Sequence, residues 1–156
     1  MAKAKRDTAL KRLDAFIGEW RVDASFPGSP PGRAVFEWGL DKQFLVQRTE
    51  APRPAPDSMA IVSVDPDTAA YTQHYFDSRG VVRVYSMTFS RGLWVLVRDS
   101  PDFSPLNFSQ RFTGRFSRDG KTIRGTWETA RVGVEWERDF DLMYTRRRVT
   151  PSPSPL

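Results

Sequence analysis

His74 is the one histidine of the chain and stands in Tyr71-Thr-Gln-His-Tyr-Phe76. An imidazole that titrates near neutral pH could serve as a general base or take an axial metal position. With no cysteine in the sequence, a single histidine cannot assemble a conventional zinc site, so no metal site is predicted. Aromatics on both faces of its segment leave open whether His74 points inward with Thr72 and Phe76; the plain alternative is a hydrogen-bonded strand residue.

Arg138 shares parity with Val134, Trp136, Phe140, Leu142 and Tyr144. A guanidinium on an apolar face must find an anion or an aromatic stack, so Arg138 is a candidate anchor for a carboxylate. Gln110 shares a face with Phe108, Phe112 and Phe116, and Arg48 shares one with Phe44 and Val46. A few polar groups among apolar ones are how pockets orient a ligand. Gln110 is read inward with Phe112, and Arg48 as surface. Of the tryptophans, Trp20 is assigned to a closed base, while Trp38 and Trp136 are candidates for cavity walls that stack on a flat guest. The ligand-binding candidates are therefore Arg138, Gln110, Trp136, Trp38, Phe112 and His74. If there is turnover, His74, Tyr85 and Arg138 are the candidates for proton transfer or polarisation.

These residues need a scaffold, and the period of the sequence specifies one. Leu10, Leu13 and Phe16 fall at helical spacing, predicting one short helix from about Thr8 to Phe16 that Gly18 ends. After it the period becomes two: Ala34, Phe36, Trp38 and Leu40 alternate with Arg33, Val35, Glu37 and Gly39. Breaks such as Asp77-Ser-Arg-Gly80, Ser90-Arg-Gly92, Arg118-Asp-Gly120 and Arg131-Val-Gly133 carry turn chemistry. Runs between breaks predict about ten strands, near 19–26, 33–40, 43–50, 58–64, 70–77, 81–89, 93–99, 107–117, 121–129 and 134–145. Short strands joined by hairpins must hide two sheet edges, which an up-and-down antiparallel β-barrel does by closing. A sandwich would need a long crossover, and none is visible.

The 156 residues, 39% hydrophobic and 13% aromatic, fit one globular domain over 8–146, with a basic flexible N-terminus at 1–7 and a disordered Pro/Ser tail at 147–156. The net charge of +5 belongs to the ends: apart from the basic residues up to Arg12 and those at Arg146–Arg148, and apart from Asp7, the body carries −2. Nucleic acid is accordingly not expected as a partner. No apolar run reaches membrane-spanning length and no secretory leader is visible, which gives a cytoplasmic expectation without a membrane partner. The oligomeric state is left open, a homodimer included.

Phe16-Ile-Gly18-Glu-Trp20, a short helix followed by Gly-x-Trp at the first strand, resembles the opening of the calycin superfamily, which includes lipocalins, fatty-acid-binding proteins and nitrobindins. Gln110-Arg-Phe-Thr-Gly114 through Trp127-Glu128, with Trp136-Glu-Arg-Asp-Phe-Asp-Leu-Met-Tyr144, resembles an uncharacterised bacterial family of lipocalin-like domains. The resemblance covers roughly Leu10 to Arg146 and implies a barrel that binds a hydrophobic small molecule. It also implies a late arginine, Arg138 or Arg146, packed across Trp20. In fatty-acid-binding proteins an Arg-x-Tyr pair on the last strand grips a carboxylate, and Arg138-Asp-Phe140 keeps the arginine. Nitrobindins place a haem-ligating histidine near the C-terminus, where this chain has none, so a haem reading falls to His74. No Gly-x-Ser-x-Gly elbow, phosphate loop or dinucleotide fingerprint is present. The expected function is binding of a hydrophobic small molecule without a cofactor. Cyclisation or isomerisation of a polyketide-like substrate is the first alternative and haem binding the second.

Overall fold

The computed structural model describes residues 2–103, 106–131 and 134–147. Helix α1 (Ala2–Arg12) runs into a 3-10 turn (Leu13–Phe16). Ten strands follow: β1 (Gly18–Ala24), β2 (Gly32–Gly39), β3 (Phe44–Glu50), β4 (Ser58–Val64), β5 (Tyr71–Asp77), β6 (Val82–Ser90), β7 (Leu93–Arg98), β8 (Ser109–Phe116), β9 (Thr122–Ala130) and β10 (Glu137–Arg146). Each pairs antiparallel with its neighbour in sequence, and β10 returns to β1 with Trp20 opposite Arg146 and Ala24 opposite Leu142. The ten strands thus form a closed barrel whose bounds lie within three residues of those predicted from turn chemistry.

The helix begins earlier than predicted. Ala2–Asp7, expected to be flexible, continues α1 because Ala, Lys and Arg are good helix formers and Arg6 ties the segment down. Its guanidinium donates to Gln43 Oε1 at 2.7 Å and to the Val64 carbonyl at 3.4 Å. The predicted tail beyond Arg147 and the turn residues Val132 and Gly133 lie outside the described residues.

The helix and the 3-10 turn close one end of the barrel. Leu13, Phe16 and Trp20 are fully buried there, and Tyr71 donates its hydroxyl to the Ala9 carbonyl at 2.6 Å. Trp20 Nε1 donates to the Phe16 carbonyl at 2.9 Å, and the Arg146 guanidinium stacks 4.1 Å from the Trp20 ring. Arg146 also donates to the carbonyls of Ile17 at 2.5 Å and Ala15 at 2.7 Å, so it, not Arg138, closes the base. Gly18 has φ +131°, a backbone conformation that favours glycine, and a Cβ there would push aside the Arg146 guanidinium 2.8 Å away.

One irregularity decides which side chains enter the barrel. Arg138 lies opposite Glu128 and Phe140 opposite Trp127, so Asp139 is a bulge that reverses the alternation of β10.

Candidate functional site

Above the plug the side chains leave a cavity of about 950 Å³, within the range of small-molecule pockets. Its mouth is framed by the β1–β2 segment around Phe26–Pro30 and by Ala51–Pro56, with the Phe26 and Phe140 rings 5.2 Å apart. The Pro-rich segment read as a stiff loop thus stands at the entrance. A second, shallower depression of about 240 Å³ lies on the outer wall beside Met59, Phe76 and Asp77.

The aromatic wall follows from strand alternation. Tyr85, Trp127, Phe112 and Trp94 form a continuous series, with ring centroids 5.8, 5.1 and 4.8 Å apart. Phe112 reaches its place because Gly114 and Gly125 are paired across β8 and β9; a Cβ on Gly125 would stand 2.4 Å from the Phe112 ring. The pairing clears a notch for one ring.

The polar wall lies on β5 and β6. Gln73 is directly opposite Tyr85 and Tyr75 directly opposite Arg83, so four side chains that line the cavity form a block across two strands. Tyr85 donates to Gln110 Oε1 at 3.0 Å. Tyr75 donates to Asp77 Oδ2 at 2.9 Å, and Arg79 pairs with the same oxygen at 2.7 Å. Arg98, buried at the β7 end, pairs with Asp102 at 2.8 Å, and Asp102 also accepts the Val84 N–H. Among the described residues, three buried side-chain atoms have no protein partner: Gln73 Oε1, Arg83 Nε and Trp94 Nε1.

The protonation states follow from burial. Burial raises the pKa of Tyr85, opposed by the nearby Arg83 guanidinium, and raises that of Tyr75, reinforced by Asp77. Tyr144 is pushed up to about 12 by burial, with a Gln47 hydrogen bond in opposition. At neutral pH these phenols are hydrogen-bond donors and not bases. Burial also pushes the Asp77 carboxyl up, but hydrogen bonds from the Arg79 side chain, its backbone N–H and Tyr75 outweigh this and hold it at about 2.

Among the sequence-predicted residues, the cavity brings together Gln110, Phe112 and Tyr85. It does not include Arg138, Trp136, Trp38 or His74. Arg138 is exposed and pairs with Asp141, because the bulge turns it outward. Trp136 lies on the outer face against the Arg111 guanidinium at 4.4 Å, beside the Arg111–Glu128 ion pair. Trp38 points inward as its parity requires, but at the plugged end, where its Nε1 donates to Asp14 at 3.2 Å. Alternation gives a residue's face, not its height along the barrel. His74 faces outward between Ile61 and Val84, since its neighbours Gln73 and Tyr75 line the interior, so it supplies no imidazole to a guest. Arg48 pairs with Glu37 on the surface, as read.

Sequence reasoning missed Gln73 and Arg83. The signal was available: Arg83 has the parity of Tyr85, Met87 and Phe89, the same pattern that singled out Arg138.

No protein-family model matches the chain, and no curated protein matches it in sequence. Among solved structures, the chain is similar to Rv2717c from M. tuberculosis, with 16% identity, a TM-score of 0.59, and coverage of 90% of this chain and 98% of that one. That likeness shows the barrel alone. Among the described residues no helix is long and apolar enough to cross a membrane, and no group of three or more His, Cys, Asp or Glu is placed to hold a metal ion.

Proposed function

We propose that this protein binds a largely apolar small molecule in the barrel cavity. The observation that carries the proposal is the coincidence of about 950 Å³ of interior space with buried polar atoms that lack a protein partner. A buried donor or acceptor left dry costs about 1–3 kcal/mol, so such groups persist where water or a ligand completes them. The Gly18-x-Trp20 opening and the Arg146 closure over Trp20 support kinship with the calycin barrels, whose members share this use of the interior. A second reading, catalysis by preorganising a flexible substrate, draws on Tyr85, a protonated phenol inside the cavity.

Tryptophan fluorescence tests the binding reading because Trp94 and Trp127 line the cavity. Titration with a fatty acid, an aromatic polyketide-like acid and a porphyrin should give saturable quenching with at least one of them. Absence of saturable quenching across that panel would overturn the proposal. Turnover of the bound probe, lost in Tyr85→Phe, is what the catalytic reading expects.

A further inference from the structure

We infer, on the basis of the small-molecule reading above, that the guest is a flat aromatic acid that also carries a hydroxyl, with its anion on Arg83 and its hydroxyl donating to Gln73. Charge along the polar wall and its rim comes first. Arg79 pairs with Asp77 and Arg98 with Asp102, so those guanidinium charges are matched within the wall. Among the described residues, Arg83 takes part in no ion pair; its guanidinium lies beside the Tyr85 hydroxyl, and its Nε is buried without a partner. The polar wall therefore carries one unmatched positive charge, and the neutral Tyr85 and Tyr75 do not offset it. A guanidinium presents its Nε and a terminal nitrogen side by side, the fork that a carboxylate fits.

The second requirement is a donor. Gln73 is 4% exposed, and its Oε1 has no protein partner, so the guest must offer an O–H or N–H there. An unsubstituted alkyl carboxylate satisfies Arg83 but not Gln73. Shape supplies the third. The run of rings from Tyr85 through Trp127 and Phe112 to Trp94 favours a flat guest that can stack along it. Trp94 Nε1, at the inner end of that run, would donate to an oxygen carried by such a guest.

Calorimetric titration of the full-length protein with four probes tests this: 6-hydroxy-2-naphthoic acid, its methyl ester, 2-naphthoic acid and 2-naphthol. The hydroxy acid should bind about tenfold or more tightly than its ester, as expected for a charge-assisted bidentate contact. Arg83→Gln should erase that gap by lowering the affinity of the hydroxy acid to that of the ester. Gln73→Met should erase the advantage of the hydroxy acid over 2-naphthoic acid. If Arg83→Gln does not fold, the acid-to-ester ratio in the wild type and its decline with added salt decide the matter alone. Equal affinity for acid and ester in the wild type overturns the inference and leaves the cavity reading standing. No heat with any of the four, 2-naphthol included, overturns the cavity reading itself.

Discussion

The two ends of the barrel treat polar groups in opposite ways. At the plugged end, Trp20 Nε1, the Tyr71 hydroxyl and the Arg146 guanidinium all donate to backbone carbonyls of the helix, the 3-10 turn and nearby loops. In the cavity, Gln73, Arg83 and Trp94 each hold a buried atom for which the protein supplies no partner. The same strands run through both regions, so strand chemistry does not explain the difference. The plug has a chain segment, residues 2–16, that completes its hydrogen bonds; the cavity has its wall alone. A region saturated internally is built for stability, and one left short of partners is built to take them from outside.

Substitutions at the two ends should therefore separate stability from binding. The largest effect belongs to the plug. Trp20→Ala removes a fully buried ring together with its Arg146 stack and should cost about 3–5 kcal/mol in urea unfolding. A loss below about 1 kcal/mol, the size of an ordinary surface change, would show that the plug does not carry the barrel.

The next effect sits near the mouth and depends on pH. Asp77, with its side chain fully buried, has its carboxyl held down at about 2, below the usual value near 3.8. A folded-state pKa below the unfolded value stabilises the fold above the unfolded pKa, and that stability is lost as pH falls through the folded one. The difference amounts to about 2 kcal/mol, lost between pH 4 and pH 2, and Asp77→Asn should remove that part of the pH profile. Identical acid profiles for the two proteins would break the Tyr75–Asp77–Arg79 assignment.

The smallest effects lie on the outer face. Arg138→Ala and His74→Ala should shift stability by about 0.5 kcal/mol or less and leave probe binding unchanged, since neither lines the cavity. A Soret shift of added haemin that His74→Ala abolished would contradict the outward placement of His74.

Strand number, turn positions and barrel closure were legible because each follows from local chemistry: alternation within a run and Gly, Asp or Pro at its end. The interior was legible as far as alternation held. Gln110 and Phe112 were placed correctly on β8, where pairing with β7 and β9 is unbroken. Arg138 was not, because one added residue at Asp139 reverses the alternation before it and no turn residue announces it, and Trp136 was not, because it lies ahead of β10, where strand parity no longer applies. Trp38 shows a different limit, since height along the barrel depends on strand tilt and on where the helix packs. The inward face of Arg83 was legible from its parity with Tyr85, Met87 and Phe89, but its place beside Gln73 and Tyr75 follows only when pairing sets β5 against β6, a non-local fact.

Ala60 offers the most direct test of the hollow interior. It lies opposite Gln47 and Tyr75 and lines the cavity. Filling unoccupied space with a larger apolar side chain should leave the unfolding midpoint of Ala60→Phe unchanged while weakening 2-naphthol binding at least about tenfold, whereas overpacking a filled core costs about 1–3 kcal/mol. A destabilised variant whose probe affinity equals that of the wild type would contradict the account.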